Sequence, residues 1–190
     1  DADTNNIFVP VDLIDLQKSV AVGNFSISPT LALPSDLKPS IETLLHALMP
    51  HKVVVHLHAI DILSHLVRSN CEHELAALLD NGTPWVIVDY FKPGAELAAA
   101  INNALDGNAD AKVVFLKNHG VVLGGANVDE IRQTLNNITH LLDAGANSNI
   151  ESDATLLSFD EQIPIEGYMA VGDKEIHRLA IDAALFSRLR

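Results

Sequence analysis

Apolar and polar positions switch between two periods along this chain, and the switches mark its elements. The first apolar run, Ile7-Phe8-Val9-Pro10-Val11, predicts a strand end or an edge, because Pro10 has no N–H to give to a ladder. Residues 22–40 scatter Gly23, Pro29, Pro34 and Pro39 among serines, which is loop chemistry. Ser40 stands where an N-cap belongs, ahead of a short helix through Leu44, Leu45 and Leu48 that Pro50 ends. The β-branched run Lys52–His58 predicts a strand, followed by helices over about 59–68 and 72–79. Trp85–Tyr90 predicts the next strand, and Pro93-Gly94 precedes an Ala/Leu-rich helix to Leu105. Lys112–Leu116 reads as a strand, and Val121–Leu123 with Gly124-Gly125 as its partner and a turn. A long helix over about 128–144 carries Ile131, Leu135, Ile138 and Leu142 on one stripe.

Strands alternating with helices predict an α/β domain over residues 1–146. Residues 147–190 are expected to form a polar linker and a C-terminal helical extension, with its helix over about 174–189.

Composition narrows the picture in three ways. A length of 190 residues, 48% of them hydrophobic, suits one globular domain with its own core. No apolar run is long enough for a membrane helix, and the start has no basic-then-apolar leader, so a cytoplasmic protein is expected. A formal charge of −13 makes nucleic acid and anionic membranes poor partners. A small molecule remains the expected partner, with any negative group held by local positive charge. The single Cys71 excludes an internal disulfide and a multi-cysteine zinc site, and is expected to be a buried apolar residue.

The histidines change the picture more. His56 and His58 sit two apart in a predicted strand, so both side chains leave one face with Cα atoms about 6–7 Å apart. Two imidazoles so placed can meet on one metal at about 2.0–2.1 Å. His119 follows another predicted strand, and a third imidazole would complete a three-histidine site with an open position. His-x-His pairs also arise by chance, and His46, His51, His65, His73, His140 and His177 are expected to be surface or packing residues. Glu42, fourteen residues before His56, opens the helix that leads into the His56 strand. It can be a metal ligand or a general base; equally, it can be a first-turn carboxylate held by the helix dipole.

As a set, these motifs resemble those of the class II (metal-dependent) aldolase/adducin family. The likeness rests on Pro39-Ser40-Ile41-Glu42-Thr43 with Leu45-His46-Ala47, on Val53-Val54-Val55-His56-Leu57-His58-Ala59, and on Lys117-Asn118-His119-Gly120. Tyr90–Leu97 is similar to the family's intervening segment, and the likeness runs over about residues 7–145. It implies a three-layer α/β/α sandwich around a largely antiparallel sheet. It implies zinc, or another divalent transition metal such as cobalt, manganese, nickel or iron, on His56, His58 and His119.

Glu42 would be the catalytic acid/base, and Ser40, Asn118 and Gly120 candidate substrate contacts. The implied activity is aldol cleavage or condensation of a hydroxylated carbonyl compound, in carbohydrate metabolism, through a metal-stabilised enediolate. The implied assembly is a homotetramer with active sites between subunits. The family's upstream phosphate-binding loops are not matched. Gly23-Asn24-Phe25-Ser26 shares their letters but follows the Ile7–Val11 segment, which belongs after them. The chain is therefore expected to begin inside the family domain, with its phosphate pocket absent or built differently. Epimerase, dehydratase or decarboxylase chemistry at the same metal, or a non-catalytic assembly module like the adducin head, are the alternatives.

Overall fold

The computed structural model describes residues 7–79 and 82–146. Its elements run α1 (Leu13–Ala21), α2 (Thr43–Leu48), β1 (Val53–Leu57), α3 (Ile60–Leu66), α4 (Cys71–Leu78), β2 (Trp85–Val88), α5 (Ala95–Leu105), β3 (Val113–Leu116), β4 (Gly120–Gly125) and α6 (Val128–Ala146). The four strands form one sheet in the order β1-β4-β3-β2. β1–β4 and β4–β3 are antiparallel, while β2–β3 is parallel. The sheet is thus mixed: the antiparallel expectation holds for two of its three pairings. The parallel pair follows from α5, which lies between β2 and β3 and carries the chain back across the sheet.

Period-2 alternation sorts the side chains onto two faces. Val113, Phe115, Val121 and Leu123 pack with Ile62 and Leu66 of α3, Leu75 of α4, and Ile131, Ile138 and Leu142 of α6. Val114, Leu116 and Val122 point the other way, onto Leu45 of α2 and Leu97 and Ile101 of α5. This is the three-layer α/β/α sandwich. Cys71 is buried, as expected of a small apolar residue.

α1 is an addition to the predicted elements. Asp12 caps it by accepting from the Asp15 amide, and its Leu16 packs with Leu44, Ala47 and Ala98. Residues 7–11 do not form the predicted strand, since only Val11 is bridged, to Leu31. Pro10 lends its carbonyl to the Ala32 amide instead, and Asp12 donates to Thr30. The linker and helix expected over 147–190 lie outside the described residues.

Candidate metal centre

The metal-ligand candidates meet at one end of the sheet because three separate segments end there. In β1, Val54 packs on the α2/α5 face. His56, two residues on, leaves the same face and so turns toward the start of α2, where Glu42 is the N-cap residue. His58 follows one residue past the strand. His119 stands in the tight turn between β3 and β4, which Asn118 makes possible by adopting a left-handed backbone, φ 56°. Asparagine tolerates that region better than most residues. The turn is held by hydrogen bonds from the Asn118 amide to the Leu66 carbonyl and from the His119 amide to the Leu116 carbonyl.

The three imidazoles converge. Their ring centroids are 4.9–5.0 Å apart, and their ligand atoms all lie within 4.8 Å of one another. His56 Nε2 and His58 Nε2 are 3.1 Å apart. Two metal–nitrogen bonds at a tetrahedral angle would place their nitrogens about 3.3 Å apart. His56 Nδ1 is 3.1 Å from the Val121 carbonyl, which can only accept, so Nδ1 carries the proton. In a neutral ring that leaves the Nε2 lone pair facing the other two histidines. Burial, the largest effect on this ring, holds His56 below its ordinary pKa. The Val121 carbonyl and Glu42 oppose the shift, and His119 and His58 add to it.

Glu42 closes the group. Its Oε1 lies 3.1 Å from His119 Nε2 and 3.6 Å from His56 Nε2, with both imidazoles 9% exposed. Despite that proximity Oε1 makes no hydrogen bond, and it is buried. A buried carboxylate oxygen without a bonded proton, aimed at converging imidazole nitrogens, is a donor arrangement that a divalent cation satisfies. The residues therefore fit a transition metal held by His56, His58 and His119, with Glu42 beside the remaining position.

The other sequence candidates occupy different places. Ser40 accepts from the Glu42 amide through its hydroxyl and from Thr43 through its carbonyl, fixing the turn that aims Glu42. Gly120 is buried, and a Cβ there would sit 2.4 Å from the Leu57 carbonyl oxygen and 3.0 Å from the His58 ring. Its lack of a side chain lets β4 lie against the strand that carries two of the histidines. The Val121 carbonyl, which orients His56, was not among the sequence candidates, because a backbone acceptor is assigned only by strand register.

The remaining described histidines serve local packing. His46 Nδ1 donates to the Val54 carbonyl, His51 lies against Gly124, and the buried His65 is 3.5 Å from Glu74.

Known proteins bear on the site in the same direction. A solved structure described as the N-terminal class II aldolase domain of a conserved protein from Thermoplasma acidophilum superposes with a TM-score of 0.59 at 25% identity. The match covers 72% of this chain and 65% of that one. The "Uncharacterized oxidoreductase YuxG" of Bacillus subtilis (strain 168) is 36% identical over 88 residues. That stretch is 46% of this chain and spans only 12% of the relative's length. The family model for the class II aldolase and adducin N-terminal domain matches residues 5–145, most of the chain, which therefore belongs to the class II aldolase/adducin family.

Proposed function

We propose that this protein is a metal-dependent lyase that cleaves or forms a carbon–carbon bond beside the carbonyl of a small hydroxylated substrate, with Glu42 as acid/base. The observation that carries the reading is the convergence of three imidazoles on a buried carboxylate oxygen that has no hydrogen-bond partner. Zinc is the metal this donor set suits best. When bound, it would supply Lewis acidity toward the substrate's carbonyl and neighbouring hydroxyl oxygens.

The chain's own residues do the rest. Neutral histidines leave the cation's charge undiminished, which carboxylate ligands would not. Val121 keeps His56 in the tautomer whose Nε2 lone pair faces inward. In condensation, Glu42 Oε1 removes a proton from the carbon beside the carbonyl; in cleavage, it returns one there. Ser40 orients Glu42, and the Asn118 side chain, at the turn beside His119, is assigned to the substrate. The assembly we assign is a homotetramer, checked by the mass of the particle in solution.

The test begins with elemental analysis of the purified chain and of a His56→Ala/His58→Ala double variant. About one zinc per chain in the wild type, absent from the variant, is the expected result. Cleavage of hydroxy-ketones and ketose phosphates, followed by aldehyde release, should then fall about 10²–10⁴-fold in Glu42→Gln with zinc retained. No metal after incubation with zinc, or full activity in Glu42→Gln, would overturn the proposal and favour a non-catalytic assembly role.

A further inference from the structure

The turn that carries Glu42 has a second side. Ser40, Ile41 and Thr43 line a cleft of about 390 Å³, while Glu42, between them, faces the imidazoles. That volume falls within the roughly 300–1,000 Å³ of small-molecule sites. Consecutive Cα atoms lie about 3.8 Å apart, so the cleft begins within a few carbon atoms of Glu42. We infer that it receives the end of the substrate remote from the metal, and that it selects an uncharged, largely apolar carbon chain there rather than a phosphate. This rests on the metal-centre reading above.

Three observations carry the choice. None of the residues lining the cleft is charged, so no lysine, arginine or histidine of the wall offers a counter-ion to a dianion. The amides that would cradle a phosphate on this turn are already spent: Glu42 N–H donates to Ser40 Oγ and Thr43 N–H to the Ser40 carbonyl. On the opposite wall the Ser26 amide donates to Asn24 Oδ1. Finally, the wall is mostly hydrocarbon, from Phe25, Ile27, Pro29, Pro39, Ile41 and Pro93. Ile41 is 70% exposed and leans over Gly94. A phosphate entering here would lose water against apolar surface without replacement partners. An alkyl or hydroxyalkyl end covers that surface, and the hydroxyls of Ser26, Ser28 and Ser40 can meet an occasional hydroxyl group.

The experiment is a calorimetric titration of the zinc-loaded full chain with three hydroxamates that share one metal-chelating head. They are glycolohydroxamate, its phosphorylated counterpart, and the hydroxamate of 2-hydroxyhexanoic acid. Each buried methylene is worth roughly fourfold in affinity, so the hexanoyl compound should bind at least about tenfold tighter than the head alone. The phosphorylated compound should bind no tighter than the head. Ile41→Ser should shrink the hexanoyl-to-head affinity ratio. A phosphorylated compound binding tenfold tighter than the head, or an unchanged ratio in Ile41→Ser, would overturn the inference and leave the metal centre standing. A head that does not bind would overturn both.

Discussion

Gly120→Ala places one methyl group where the strand that carries His56 has no room for it. The new Cβ would lie 2.4 Å from the Leu57 carbonyl oxygen, about 1.0 Å short of the 3.4 Å at which ordinary contact begins. Neither partner can swing aside, because one is backbone and the other is the first residue of β4. The strands must separate by roughly that distance where Leu57 faces Val121, next to the His56–Val121 hydrogen bond. Overpacking of this kind costs about 1–3 kcal/mol. Loosening one ladder hydrogen bond adds about 1 kcal/mol. For a chain of this size a total of about 2–4 kcal/mol lowers Tm by roughly 5–15 °C.

The metal should suffer more. Ligand distances hold within about 0.2 Å, and outer contacts alone are worth about 10–100-fold in affinity. Competition with a chromogenic chelator should therefore show zinc affinity reduced at least about 10-fold. Gly124→Ala is the control: its Cβ would meet the His51 ring at 2.3 Å, a side chain that can rotate outward. It should keep its zinc and lose less stability. If Gly120→Ala binds zinc within threefold of wild type and melts at the same temperature, close strand approach is not what this glycine provides.

Three further outcomes are expected. Asn118→Gly should preserve folding and zinc, since glycine accepts φ 56°, but lower kcat/KM if the side chain touches substrate. Asn118→Val should melt lower by about 1–2 kcal/mol, which calorimetry reads directly. In metal-free protein His56 has a pKa below its ordinary 6.5, so the unfolded chain binds more protons than the native one. Stability should fall as pH drops through 6.5 and flatten below the native value, and His56→Gln should remove that component of the Tm–pH curve. Chelation of zinc should lower stability by about 2.7 kcal/mol relative to protein held at a hundredfold excess over Kd, with recovery on re-addition.

Much of the fold was legible because several segments advertise their period. α6 carries its apolar stripe over five turns, and β3 is apolar on both faces because helices cover both. α1 was not legible: only Leu16 of its nine residues is buried, so no stripe marks it. Ile7–Val11 misled for the opposite reason, since β-branched residues favour a strand but cannot supply a partner for it. The histidines could be picked out by spacing within β1 and by position after β3. Their convergence depends on β1 and β3 both lying beside β4, a pairing of distant segments. For the same reason neither the Val121 acceptor nor the steric part played by Gly120 could be read in advance.

The register of β1 on β4 has a practical consequence. His56 stands opposite Val122 and Leu57 opposite Val121. A slip of one residue would turn every β1 side chain to the other face, carrying His56 away from Glu42 and His119. Most of the apolar contacts could re-form approximately after such a slip, because Val53, Val54 and Val55 are interchangeable in shape. The imidazoles could not. Metal uptake thus acts as a proofreading signal for the ladder. A preparation with full helical content that refuses zinc even in excess would be mispaired protein, and one that takes it up stoichiometrically has certified its own strand alignment.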